Sequence, residues 1–270
     1  MQSSQVPLDY KTFGRILLDT YDLDPLYVIL AQASFPDRML KRFLLAYWVF
    51  YSAGVACKIA ESKNFYRTMF YGNDNKWPRG HERRHMRGKN FMLCVSELQR
   101  YGCPESIVDS MTDGDTFQDI STNTQLFRGF GPWIGWKVAD MTERVLCHSV
   151  DFSDAELGVY RDPVKGAALL RFGDQKHPIT LNELHEVVNQ LQSDFGNYKA
   201  PPYLDRPVNI QEIETILCKY KSYINGHYPI GNDTYEIHEG LKGCGDMAQE
   251  LEHHLDVYVK IVNEEKKHYV

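Results

Sequence analysis

The chain has 270 residues, 43% of them hydrophobic and 24% charged, an ordinary composition for one large domain or two closely joined lobes around a substantial core. A formal charge of -6 excludes a protein that coats nucleic acid indiscriminately, so any such contact must come from a local basic surface. Scattered cysteines, an N-terminus without a signal-peptide layout and the lack of any apolar run of membrane-spanning length point to a reducing cytoplasm.

Hydrophobic periodicity along the chain is overwhelmingly helical. The spacing predicts a helix over Asp9 to Thr20 and a long apolar-rich one over Leu40 to Ile59. In the second, Phe43, Leu44, Tyr47, Phe50, Tyr51 and Gly54 are available for packing, and the aromatic density reads as core in preference to a base-stacking platform.

Turn chemistry at Gly72 to Asn75 leads into Lys76 to Lys89, KWPRGHERRHMRGK, which holds six Lys or Arg against one Glu. A helix from His81 to Tyr101 would place Arg84, Arg87, Gly88, Phe91, Cys94, Val95 and Leu98 on one stripe. Its apolar half faces the core, so Arg84 and Arg87 would point along the same side into a cleft. Burying two guanidinium groups is costly unless an anion meets them. Alternatively, Gly88 breaks the helix and the arginines lie on the surface as a solvated basic patch. His81-Glu82-Arg83-Arg84-His85 also fits the H-E-x-x-H zinc pattern, but Pro78 and Gly80 sit where a zinc helix should continue and no third ligand declares itself.

After a turn at Asp113 to Asp115 comes the most informative stretch, Arg128 to Phe152, RGFGPWIGWKVADMTERVLCHSVDF. Gly129, Gly131 and Pro132 form a turn that opens a helix over Pro132 to Cys147, in which Ile134, Val138, Met141 and Val145 share a buried side. The unpaired amides at such a start attract an anion such as a backbone phosphate, although a G-x-G turn can equally be only a turn. The other stripe of the helix, Trp133, Lys137, Asp140 and Arg144, suits a solvated face as readily as a nucleic-acid contact.

Further helices are predicted over Leu181 to Asp194, Ile210 to Tyr223 and Asp246 to Val262, with breaks at Gly173 to Pro178 and Gly196 to Pro207. Between Glu236 and Val270 there are eight Asp or Glu against four Lys or Arg, a face unsuited to tracking phosphates.

Phe127-Arg128-Gly129-Phe130-Gly131, the following helix and Val150-Asp151 resemble the helix-hairpin-helix of the DNA glycosylase superfamily. Asp151 stands eighteen residues beyond Trp133, the register of that superfamily's catalytic aspartate. Trp133 occupies the position of the Schiff-base lysine in lyase-type members, so no imine with DNA is expected. Nor do the cysteines have the close spacing of the iron-sulfur cluster that some members carry. Together with Trp77-Pro78-Arg79-Gly80, the arginine run and Tyr47 to Tyr51, the chain resembles the phage alpha-glutamyl/putrescinyl thymine pyrophosphorylase family, also described as amino acid:DNA transferases.

That resemblance implies an all-α, two-lobed helix-hairpin-helix glycosylase-like fold, with residues 36–149 as a central lobe and 1–35 with 150–270 as a second. The implied substrate is 5-hydroxymethyluracil in double-stranded DNA, already pyrophosphorylated on its hydroxymethyl oxygen. An amine, from glycine, glutamate or putrescine, would replace the pyrophosphate. Arg79, Arg83, Arg84 and Arg87 would neutralise the leaving group. Asp151, its pKa raised by partial burial, or His85 would take the proton from the amine. Arg128, Gly129, Gly131, Trp133 and Lys137 would contact DNA. No cofactor is demanded, though a divalent cation could assist pyrophosphate departure, and oligomeric state stays open. A glycosylase that releases a modified base, and a non-catalytic DNA-binding helical module, are the two rival readings.

Overall fold

A computed structural model describes residues 7–71 and 77–268 of the chain. The turn expected at Gly72 to Asn75, and Lys76, lie outside the described residues. Within them the protein is helical, without β-strands, and only isolated bridges join Thr116 to Asp151 and Lys199 to Pro207. No helix among the described residues is long and apolar enough to cross a membrane. All six cysteines are free thiols.

The helices are α1 (Tyr10–Asp19), α2 (Pro25–Gln32), α3 (Asp37–Phe50), α4 (Ala53–Glu61), α5 (Phe65–Phe70), α6 (Gly88–Tyr101), α7 (Pro104–Met111), α8 (Phe117–Gln125), α9 (Pro132–Arg144), α10 (Arg161–Phe172), α11 (Leu181–Phe195), α12 (Ile210–Ile224), α13 (Asn232–Leu241) and α14 (Asp246–Lys266). Two compact units emerge. A central unit comprises Leu26–Asp154 and Tyr235–Asp256, and a terminal unit comprises the described residues of Met1–Pro25, Ala155–Thr234 and Val257–Val270. The segment 36–149 falls wholly within the central unit.

Local chemistry sets several boundaries. Asp9 caps α1 by accepting from the amides of Lys11 and Thr12, while α11 and α12 each begin in a reciprocal capping box, Thr180 with Glu183 and Asn209 with Glu212. The helix expected over Leu40 to Ile59 is in fact two. Tyr51 adopts a left-handed backbone, φ 50° and ψ 46°, and Ser52 is extended, which ends α3 at Phe50 and starts α4 at Ala53. The aromatics of α3 are core, with Phe43, Trp48 and Phe50 fully buried and the Trp48 indole donating to the Met141 sulfur at 3.3 Å.

A second correction concerns α9. Its charged stripe does not face water: Lys137, Asp140 and Arg144 are all buried, with Arg144 Nη1 3.4 Å and Lys137 Nζ 3.7 Å from the Asp140 carboxylate. The Arg144 guanidinium also covers the Tyr27 ring at 4.8 Å. Such a cluster persists in low dielectric only because the charges compensate one another. In the terminal unit, buried Asp22 plays a comparable part, accepting from Thr234 N, Thr234 Oγ1, Gly231 N and the Tyr228 hydroxyl.

Candidate functional site

The break after Phe50 leaves the last carbonyls of α3 without helical donors, and the basic segment supplies them. Gly80 N donates to Phe50 O at 2.9 Å and Arg83 Nε to Val49 O at 3.2 Å. Arg83 Nη1 reaches across to Gly129 O at 2.8 Å, and its guanidinium lies over the Phe130 ring at 5.3 Å. One buried cation thus ties the end of α3, the segment 79–89 and the glycine turn before α9 into one assembly. Burial depresses the Arg83 pKa to about 10, which leaves it charged at neutral pH. Its Nη2 is buried and has no hydrogen-bond partner among the described residues.

The helix expected from His81 begins instead at Gly88, whose φ is +54°, and His81–Arg83 form a single 3-10 turn. Arg84 and Arg87 therefore do not share a stripe with Phe91, Cys94, Val95 and Leu98. Both are exposed, Arg84 donating to His81 O at 2.8 Å and Arg87 to Arg84 O at 3.1 Å. Arg83 is inside, Arg84 and Arg87 outside. Arg79 is half-buried between the Phe50 and Phe91 rings, at 5.1 and 4.9 Å, and burial followed by the nearby Arg87 charge lowers its pKa. Met86, 2% exposed, is the second anchor of the turn. Gly129 has a φ of +85°, a conformation that favours glycine, and a Cβ there would come within 2.8 Å of the Met86 methyl, which would have to shift.

Between the two exposed arginines sits His85. Burial first, then the charges of Arg83 and Arg84, lower its pKa below the ordinary value of 6.5, so the imidazole is neutral at pH 7 and available as a proton acceptor. His81 and His85 do not share a helix face, because His81 lies in the 3-10 turn that ends at Arg83 and His85 follows it.

Across the turn, Arg128 is exposed, its amide donating to Glu97 at 3.1 Å and its guanidinium 3.8 Å from the same carboxylate. Gly131 and Pro132 are exposed at the start of α9, and Trp133 is half-buried with its ring 4.9 Å from Tyr51 in a T-shaped contact. Lys137, expected to touch DNA, is instead turned inward to Asp140.

A Cβ on Gly131 would meet nothing within 4 Å, and its φ of -92° suits any residue. Gly131→Leu should therefore fold with an unchanged melting temperature yet bind duplex DNA roughly tenfold more weakly, because the side chain blocks approach of a phosphate to the first amides of α9. Fluorescence anisotropy with a labelled duplex reads this. Wild-type affinity would show that DNA does not approach this helix end.

Asp151 requires correction. Its carboxylate is exposed, accepts from Ser153 N at 2.8 Å and Ser153 Oγ at 3.0 Å, and these bonds lower its pKa instead of raising it. Its backbone pairs with the segment before α8, Asp151 N donating to Asp115 O at 2.7 Å and Phe117 N to Asp151 O at 2.8 Å. Among the described residues, no hydrogen bond or ion pair connects it to the arginines. The structure thus joins the arginine segment to the glycine turn, and it identifies Arg83 and Met86 as the joint.

Residues 15–228 match the amino acid:DNA transferase family. The chain is 38% identical over 268 residues to a glycinyltransferase of Pseudomonas phage PaMx11, an alignment covering 88% of this chain and 92% of that protein. It is 27% identical over 249 residues to a putrescinyltransferase of Delftia phage PhiW-14, covering 87% of this chain and 79% of that protein.

Proposed function

Because the chain belongs to the amino acid:DNA transferase family, we propose that it joins glycine to a pyrophosphorylated thymine analogue in DNA, with the Arg84–Arg87 turn drawing off the pyrophosphate. The chain is an enzyme that transfers an amino acid or amine to DNA. Glycine is favoured as donor by the higher identity to the glycinyltransferase. The proposed place of action is the cytoplasm of an infected host, as befits likeness to phage enzymes.

The observation that carries the reading is the exposed pair Arg84 and Arg87, held by buried Arg83 against the carbonyl of Gly129. In the proposed step the neutral amine of the donor forms a C–N bond to the methylene carbon on the base. The C–O bond to pyrophosphate breaks, and pyrophosphate departs with the electron pair to meet the guanidinium groups. The proton shed by nitrogen passes to His85. Asp151, ionised and held by Ser153, is the weaker base, and the raised-pKa role expected for it is withdrawn. A target carbon on a thymine-like base is reached in an enclosed site by extruding the nucleotide. We assign α8, the turn 126–131 and α9 as the helix-hairpin-helix that grips the backbone, with α9 packed on α8 as support.

The donor is tested by incubating a duplex containing 5-(pyrophosphoryloxymethyl)uracil with equimolar isotope-labelled glycine, glutamate and putrescine, then digesting to nucleosides. A dominant glycine adduct is expected, and a dominant putrescine or glutamate adduct would reassign the donor.

The role of His85 makes a signed prediction. Since its pKa lies below 6.5, kcat/KM should show an acid limb beneath that value, separate from the one at higher pH set by protonation of the donor amine. Arg84→Ala removes a charge that lowers the His85 pKa, so in that variant the acid limb should move to higher pH. Asp151→Asn should leave the limb in place. A limb unmoved by Arg84→Ala, or moved by Asp151→Asn, would take the base role from His85.

A further inference from the structure

A second charged surface lies in the terminal unit, in a groove of about 520 Å³ lined by Gly158, Val159, Arg161, Val164, Lys165, Ala168 and the turn Gln175 to Ile179. Three cations line it, Arg161, Lys165 and Lys176, together with His177. Not one lining residue is acidic. Three of the carboxylates around it bond to partners outside the lining, and a fourth bonds to the backbone of a lining residue. Asp162 pairs with Lys221 at 2.7 Å, Glu186 with Arg171 at 2.8 Å and Glu156 with His185 at 2.8 Å, and Asp174 accepts the Lys176 amide at 2.9 Å. None of the three lining cations takes part in an ion pair among the described residues. Arg161 and Lys176 are exposed and Lys165 is half-buried.

In a chain of formal charge -6, a groove wall with three cations and no carboxylate of its own is locally positive. We propose that this groove is a second DNA contact that grips the phosphate backbone. An amine or amino-acid donor carries an ammonium group and would need a carboxylate partner that the lining lacks. A polyanion needs only what is there, and the exposed position of Arg161 and Lys176 suits a backbone laid along the surface. The contact is sequence-independent, adding affinity and register without reading bases. It rests on DNA as the substrate, and it is tested on binding alone so that its failure is distinct from failure of the transfer chemistry.

The experiment compares the whole protein with an Arg161→Ala/Lys165→Ala/Lys176→Ala variant, and with Arg161→Gln/Lys176→Gln, which alters exposed side chains only. Binding of an unmodified labelled duplex is followed by anisotropy over a range of NaCl. The triple variant should bind roughly tenfold or more weakly at low salt, and its slope of log affinity against log salt should fall by about 0.9 per lost contact, about 2.7 in all. The double variant should fall about two-thirds as far in slope. Titration with inorganic pyrophosphate alone separates a small-anion site from a backbone site. Unchanged duplex affinity and slope in both variants would overturn the proposal, as would loss of pyrophosphate binding with duplex binding intact.

Discussion

Replacing Arg84 and Arg87 together by alanine should lower kcat on pyrophosphorylated DNA at least about a hundredfold, the scale seen when one preorganised donor to developing charge is lost. Duplex affinity should fall much less, by under about tenfold, since two phosphate-range contacts at most are removed. The contrast follows from position. Both side chains are exposed, Arg84 donating to His81 O and Arg87 to Arg84 O within their own turn. Removing them costs the fold little, so the melting temperature should stay put and the kinetic effect should stand alone. Equal losses in turnover and affinity would mean that these residues merely hold DNA.

Arg83→Ala should behave in the opposite way, destabilising the protein by about 2–3 kcal/mol and lowering Tm by about 5–10 °C. The buried carbonyls of Val49 and Gly129 would lose charged donors, and a cavity would open beside Phe130. Turnover should fall as well, because the turn bearing Arg84, His85 and Arg87 would lose its anchor on the glycine loop. Arg83→Lys should recover only part of either effect, since one ammonium cannot reproduce a planar fork that serves two carbonyls at once. Calorimetry paired with steady-state kinetics checks this. Wild-type Tm and kcat in Arg83→Ala would show that the joint is dispensable.

How much of this was legible follows from where periodicity exists. Helices α11 and α12 announce themselves by capping boxes and a clean apolar spacing, and the structure places them within a residue of the expected ends. Helix α8, with the sequence FQDISTNTQ, carries residues of low helix propensity and stands on the Thr116 cap and its packing against α9. No period could reveal it. The split after Phe50 was equally hidden, because neither Gly nor Pro marks the left-handed Tyr51 within an unbroken apolar run.

The site was legible as segments and not as side-chain directions. Charge density singled out residues 76–89, and the glycine pattern singled out 127–131, but the arginine turn is irregular, so spacing cannot tell which guanidinium turns inward. Assuming a helix from His81 exchanged the roles of Arg83 and its neighbours. The α9 stripe misled for a related reason: three charged residues read as a wet face, whereas mutual compensation lets Lys137, Asp140 and Arg144 be buried. For Asp151, the serine two residues on was the available signal. An Asp-x-Ser sequence favours a local turn in which the carboxylate accepts from Ser153, and such bonds stabilise the charged form.

If the turn around Arg84 and Arg87 assists amine-for-pyrophosphate exchange on an intact nucleotide, a single-turnover reaction of wild-type protein, glycine and a duplex bearing one pyrophosphorylated base will show it when released pyrophosphate and nucleoside mass are followed in the same samples. One pyrophosphate should appear for each glycine adduct, with no strand breakage on later alkali treatment. Pyrophosphate retained on an unchanged base, or alkali-labile abasic sites in place of the adduct, would contradict it.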